Sequence, residues 1–289
     1  MTKESKLTGL CLVGGLAAAA LTTSSVAQDA PPAVNNGLLT WSAGADVVST
    51  YIFRGFEQED SGLIFQPYVE VGTPLGDTGV DLTIGTWNSI HSVGTGAVAG
   101  GPSRWYESDL YASLGYSIND QFAVSTTFTG FYYPNNSASS IEELAFQLDY
   151  DDSEALGDFA FAPYAMIAFE TRDAGGTEDI YLEVGGEFSA FFIESEDLPV
   201  ELSFPFALGF SVDDYYTDGG GDNEFFGFLK VGVAASMPLD FIPADYGVWS
   251  ASAGIDLFFV NDEALGGQSL LDDGDEFEIV GLVGVSMEY

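Results

Sequence analysis

The sequence is poor in basic residues, in cysteine and in long apolar runs. It has 289 residues, with 6 Lys and Arg against 45 Asp and Glu, one His, one Cys and a formal net charge of -39. Such a charge argues against nucleic acid or another polyanion as a partner and favours cations or neutral solutes. Acidic chains can be disordered, but 46% hydrophobic and 14% aromatic residues provide enough apolar surface for an ordered fold.

The one cysteine, Cys11, lies inside a segment typical of an export signal. Lys3 and Lys6 precede an apolar run over residues 10–21, and small residues follow it, so residues 1–27 are predicted to be a cleaved signal peptide. The residue before the cysteine is Leu, where a lipoprotein cleavage site would need Gly or Ala. The mature chain is therefore expected to contain no disulfide and no lipid anchor of that type.

No later segment offers the roughly 20 consecutive apolar residues that a membrane helix needs. After a Pro- and Asn-rich stretch, 28–37, predicted to be a periplasmic linker, residues 38–289 alternate between apolar and polar with a period of two. This pattern predicts twelve strands, over residues 39–54, 63–73, 80–92, 104–117, 121–133, 141–150, 159–171, 179–188, 200–213, 225–237, 247–260 and 277–289.

The last of these strands has one apolar row and one partly acidic row. Val285, Met287 and Tyr289 lie on the apolar row, and Glu278 and Glu288 lie on the other. A strand of this pattern that runs to the last residue resembles the C-terminal strand of bacterial outer-membrane barrels. We therefore expect the apolar row to serve as the membrane-insertion signal that the barrel assembly machinery reads.

Alternation alone fits both a soluble sandwich and a membrane barrel, which differ in the face that meets water. The predicted connections alternate between short and long, although 189–199 is long for a short-side turn, and aromatic residues gather near strand ends. These features predict an all-β, transmembrane, antiparallel up-and-down β-barrel of about 12 strands. We expect it to be integral to the outer membrane of a Gram-negative bacterium and surrounded by lipid, as a monomer or a homo-oligomer.

Several short motifs near the start of the predicted barrel resemble one known family. They are Ser49-Thr-Tyr-Ile-Phe-Arg-Gly55 followed by Gln58, Gln66-Pro-Tyr68, Gly85-Thr-Trp-Asn-Ser89 and Glu107-Ser-Asp-Leu-Tyr111. Together they resemble the TorF-like outer-membrane porin family, most clearly over residues 45–117, and beyond that range only the strand rhythm agrees. The resemblance implies an outer-membrane barrel with a pore function and implies no particular substrate.

The polar rows of the predicted strands are rich in carboxylates and have few basic residues to balance them. A lumen lined in this way attracts cations and repels anions. We therefore predict a passive, cation-preferring pore for ions or small polar solutes. The alternative is a non-conducting barrel with a structural role or with a bound cation or other ligand. The candidate lumen or constriction residues are Arg54, Glu107, Asp109, Glu183, Lys230, Asp256 and Glu278.

Two basic residues are candidates for special roles in that lumen. Arg54 is expected at the outer end of the first strand, near Glu278, where it either locks the barrel through an ion pair or orients a solute. Lys230 either forms a bipolar constriction with Glu183 and Asp256 or only neutralises nearby acids.

The sequence gives little support for catalysis, so we predict that the protein is not an enzyme and uses no cofactor. His91 is the sole histidine, with Ser89 and Asp81 on the same row, and no Gly-x-Ser-x-Gly motif occurs. The acidic segments 213–224 and 272–276 lack the spacing of an EF-hand. We therefore predict no metal site there and interpret these segments as solvated surface.

Overall fold

A computed structural model describes residues 38–97, 102–172, 179–193 and 199–289. The predicted signal peptide, 1–27, and the predicted linker, 28–37, lie outside these residues. Within them, twelve strands form the wall of a closed antiparallel barrel, and two short strands form a separate hairpin. The fold class predicted from the sequence, an all-β up-and-down barrel of about 12 strands, is confirmed.

The wall strands follow one another around the barrel in chain order, and the first and the last pair to close it. Their bounds are β1 Thr40–Val48, β4 Ile64–Pro74, β5 Val80–His91, β6 Trp105–Ser117, β7 Phe122–Tyr132, β8 Ile141–Tyr150, β9 Tyr164–Arg172, β10 Ile180–Ile193, β11 Val200–Asp213, β12 Phe226–Pro238, β13 Val248–Val260 and β14 Phe277–Glu288. The hairpin consists of β2 Tyr51–Phe53 and β3 Phe56–Glu59.

Side chains alternate between the lumen and the outer surface, as the period of two predicts. Ile84, Leu110 and Val283 face outward, and each is 55% exposed. In β6 the alternation is regular from Glu107 to Leu114. A bulge opposite Ser89 and Ile90 shifts it at the start of the strand, where Tyr106 is buried next to Glu107 and Trp105 is exposed. The outer surface is therefore a broad apolar band, and the polar rows line the interior.

The predicted first strand, 39–54, was wrong beyond Val48. The chain leaves the wall there and folds into the hairpin, whose tip turns at Arg54 and Gly55 with φ of 50° and 85°. Two consecutive positive φ values are typical of the two-residue type I′ turn, whose twist matches a β-hairpin. The alternation of Tyr51–Phe53 continues that of β1, so the pattern itself gives no sign that the chain departs.

Two other predicted boundaries also differ from the structure. The predicted strand 159–171 begins only at Tyr164, because Ser153–Leu156 forms one turn of α-helix and Gly157–Phe159 a 3₁₀ turn. The connection predicted over 189–199 is shorter, because β10 continues to Ile193. The alternation still has an exception, because the connection 151–163 between β8 and β9, on the same side of the barrel, is long.

The apolar core lies inside the barrel, around the hairpin. Buried aromatic and aliphatic side chains from the wall, from the hairpin and from the two connections 214–225 and 261–276 meet there. Tyr216 and Leu270 are 0% and 2% exposed, so both connections pack inward. We call this end of the barrel the hairpin end; Thr40 and Glu288 lie at the opposite end.

Candidate functional site

The inward-facing row of the wall carries buried carboxylates. On β6, Glu107 and Asp109 are 2% and 0% exposed. Glu143 on β8, Glu183 on β10 and Asp256 on β13 are also buried. The strand alternation thus brings acids that are distant in sequence into one enclosed space.

The hairpin crosses the lumen at one end of the barrel. The Tyr51 ring lies 5.5 Å from the Trp87 ring on β5, centroid to centroid. The tip at Gly55 comes so close to β12 that a Cβ added there would lie 3.1 Å from Cβ of Phe228. Because β5 and β12 stand on different sides of the barrel, the hairpin and its neighbours narrow the mouth.

Arg54, at the hairpin tip, is held by a buried carboxylate. Its Nη1 and Nη2 donate to Oε2 and Oε1 of Glu143 at 2.6 and 2.8 Å, and its guanidinium carbon lies 4.1 Å from the centre of the Tyr181 ring. The Tyr216 hydroxyl donates to the Arg54 carbonyl oxygen at 2.8 Å. Burial lowers the pKa of Arg54, but Glu143, Tyr215 and Tyr181 together raise it, and the net result lies above the ordinary value. The hairpin is therefore tied to the wall by a charged, bidentate pair.

Glu278, which was expected near Arg54, and Glu107 have other partners. Glu278 accepts a hydrogen bond from Thr50 Oγ1 at 3.2 Å, and Glu107 accepts one from the Tyr51 hydroxyl at 2.9 Å. Burial, followed by the charges of Glu107 and Asp109, raises the pKa of Tyr51, so its hydroxyl stays protonated and can donate. The hairpin displaces Arg54 from the β1–β14 seam, where the sequence placed it, and sets it beside β8.

Glu183 and Asp109 differ in the hydrogen bonds that their carboxylates accept. Glu183 accepts hydrogen bonds from the hydroxyls of Tyr164, at 2.6 Å, and Tyr181. Asp109 lies next to Glu107, and within the described residues neither of its buried oxygens receives a bond from a hydroxyl, an amide or a cation. The lumen is thus unevenly neutralised.

Lys230 and Asp256 lie on the walls of a cavity inside the barrel. Lys230 Nζ is 3.9 Å from Asp256 Oδ2, an ion pair too long for a hydrogen bond. Glu183, the third member of the predicted constriction, bonds to tyrosines instead. Gln66, which in the sequence belongs only to the family-like motif Gln66-Pro-Tyr68, also lines the cavity. The one feature of the sequence that points to Gln66 is its position on an inward row. In the structure it lies opposite Asp46 of β1.

His91 belongs to a buried polar network and not to an accessible catalytic site. Its Nε2 lies 2.8 Å from Ser89 Oγ, and its Nδ1 contacts the Thr95 hydroxyl, which donates to Glu59. Asp81 lies at the other end of β5, roughly 30 Å away at 3.3 Å per residue. Ser89 is 0% exposed, so a substrate has no access to its hydroxyl. The sequence missed Thr95 and Glu59 because both lie outside the wall.

The predicted insertion residues lie on β14 and directly after it. Val285 is 38% exposed on the outer face, next in that row to the exposed Val283, and Met287 follows it with intermediate exposure. Tyr289 is 39% exposed, and its amide and carbonyl groups exchange hydrogen bonds with Trp41.

The described residues contain neither a candidate metal cluster nor a candidate membrane-spanning helix. No group of three or more His, Cys, Asp or Glu in this part of the chain is arranged to hold a metal ion. No helix among the described residues is long and apolar enough to cross a membrane.

Comparison with known proteins yields similar folds and no family. No family model and no curated protein matches the sequence, so the TorF-like resemblance stays a prediction. Among solved structures, the chain is similar to the porin NanC (11% identity, 85% of this chain, 98% of that one, TM-score 0.45). It is also similar to an outer membrane channel from Pseudomonas putida F1 (10%, 90%, 97%, TM-score 0.45). A third similar structure is the β domain of the Bordetella autotransporter BrkA (9%, 88%, 99%, TM-score 0.41).

Proposed function

We propose that this chain is a bacterial outer-membrane barrel that acts as a passive, cation-preferring pore for ions or small polar solutes. The observation that carries the proposal is the division of the wall into an apolar outer band and an acidic interior. Side chains such as Phe146 and Ile255 are 46% and 48% exposed on the outside, while Glu107 and Glu143 are buried inside. A soluble protein rarely exposes so wide an apolar surface.

Closure of the barrel supports the membrane assignment on independent grounds. In lipid every backbone N–H and C=O needs a partner within the protein, and a closed sheet leaves no free edge. The pairing of β1 with both β4 and β14 completes that ring. We expect lipid to contact the outer band and the barrel assembly machinery to insert the chain, with residues 1–27 removed on export.

Cation preference follows from the charge of the lumen. The two cations that face the interior in the described residues, Arg54 and Lys230, already have acidic neighbours in Glu143 and Asp256. Inward acids such as Glu70, Glu183 and Glu278 then leave the path negative, and a negative path in a low-dielectric wall concentrates cations.

A second candidate, a non-conducting barrel, is favoured by one feature, the hairpin that crosses the lumen. Single-channel recording of the refolded full chain in a planar bilayer separates the two. Gel migration that changes on boiling, together with recovery in the outer-membrane fraction of cells, checks the fold and the location. The pore proposal expects discrete conductance steps; folded protein that inserts without such steps supports the non-conducting barrel.

A further inference from the structure

The cavity beside Lys230 brings together polar groups of three kinds. It contains about 450 Å³ of empty space, part of it open to solvent. Its walls come from β1, β4 and β12–β14, and residues 50–52 of the hairpin segment bound it. Asp46, Gln66, Lys230 and Asp256 provide the polar lining apart from residues 50–52.

Gln66 is the first indication of a ligand. Its side chain is 1% exposed, and neither Nε2 nor Oε1 has a hydrogen-bond partner within the described residues. A buried amide normally satisfies both its donor and its acceptor. A molecule in the cavity that offers one acceptor and one donor would satisfy both.

The charged groups of the lining are also incompletely used. Asp46 has no hydrogen bond and no cation within 4.0 Å among the described residues, whereas Lys230 meets Asp256 only at 3.9 Å. Lys230 makes no hydrogen bond there either, so its three N–H donors remain available. The cavity thus offers a free anion, a cation with free donors and a free amide.

Two glycines of the wall allow the carboxylates of Asp46 and Asp256 to lie against the sheet, which leaves the space toward the lumen free for a ligand. The Asp46 carboxylate lies across Gly284 of β14, and the Asp256 carboxylate lies across Gly232 of β12, so a Cβ at either glycine would overlap a carboxylate oxygen. The acids therefore lie flat against the sheet. Apolar side chains, including Phe258, complete the cavity.

We propose that this cavity binds a small zwitterion with an apolar side chain, the chemistry of a neutral α-amino acid. The ammonium group pairs with Asp46 and Gln66 Oε1, and the carboxylate pairs with Lys230 and Gln66 Nε2. The side chain packs against the apolar lining. Each free polar group of the cavity then has a partner. The inference goes beyond the pore proposal, because binding requires no conduction.

Calorimetric titration of the refolded full chain with L-leucine tests the site without any mutation. We expect saturable binding to one site, and binding at least about tenfold weaker for 3-methylbutylamine, which lacks the carboxylate, and for 4-methylpentanoate, which lacks the ammonium. Absence of saturable leucine binding would overturn the inference. Equal affinity for the amine would do the same, because it would mark a simple cation site.

Variants then locate the binding. Asp46→Asn and Lys230→Met are each expected to weaken leucine binding by about tenfold or more. Asp149→Asn, which changes an inward acid outside the cavity lining, serves as the control and is expected to leave the affinity unchanged. If either cavity variant folds, as judged by its gel migration, and binds leucine like the wild type, the assignment is wrong.

Discussion

Arg54 keeps its charge inside the barrel because Glu143 and the Tyr181 ring replace the water that it has lost. A buried bidentate pair is costly to break from one side, since the remaining charge is left without a partner. Arg172 and Glu142 form a pair of the same residue types at 3.1 Å, with side chains 65% and 30% exposed. The two pairs provide a matched comparison of buried and exposed electrostatics.

Arg54→Ala is expected to lower the free energy of unfolding by roughly 3 kcal/mol, the cost of leaving a buried carboxylate unpaired. Arg172→Ala is expected to change it by less than about 1 kcal/mol, because water screens an exposed pair. Denaturant unfolding of the refolded barrels measures both. Equal effects of the two substitutions would show that the Arg54 pair does not fix the hairpin.

Glu57, in β3, gives the hairpin a dependence on pH. Burial, followed by the charges of Asp272, Asp60, Glu278 and Asp273, raises its pKa from 4.5 to about 7. The folded chain then binds more protons at this group than the unfolded chain between these two values, so its contribution to stability falls as pH rises through that window.

Glu57→Gln removes this contribution. We expect the free energy of unfolding of the wild type to lose more between about pH 5 and about pH 8 than that of the variant. Asp77→Asn, in an exposed turn, is the control and should keep the wild-type pH profile. Identical profiles for wild type and Glu57→Gln would contradict the repulsion at this site.

The sequence could predict that Arg54 would meet a carboxylate, because acids outnumber bases so heavily. It could not predict which one. Glu143 is 89 residues away along the chain, and the two meet only because the hairpin folds inward. Gln66 and Thr95 were missed for a similar reason, since their significance depends on neighbours from other strands.

At the scale of elements, the strands were predictable and the hairpin was not. Each wall strand has an apolar outer face and a more polar inner face, so its sequence shows the alternation with a period of two directly. The hairpin lies inside the barrel with β2 largely buried and β3 partly exposed, and Tyr51–Phe53 merely extends the alternation of β1. The Arg-Gly pair at its tip is a weaker turn signal than Asn-Gly.

Removal of the hairpin tests its effect on the path. Replacing residues 50–62 by a short Gly-Ser linker is expected to raise the single-channel conductance by roughly twofold or more, because the main element narrowing the mouth is gone. The recording is made on refolded protein that passes the boiling test on gels. Conductance that stays the same or falls would show that the hairpin does not limit the path.

At the scale of the whole molecule, a closed wall converts separate acidic rows into one negative lumen. Most wall strands contribute inward acids, although β7 and β12 contain none, and closure sets those of β6, β8, β10 and β13 around a common space. The net charge of -39 already indicated a preference for cations. The structure shows where part of that charge lies, and it shows that the hairpin narrows access to the lumen.

The reversal potential of the inserted barrel under a KCl gradient tests this central claim most directly. An acidic lumen passes K⁺ more readily than Cl⁻. We therefore predict a potential that is negative on the high-salt side, whose magnitude declines as the overall salt concentration rises and screens the lumen. A potential of the opposite sign, or one of zero at low salt, would contradict a cation-preferring pore.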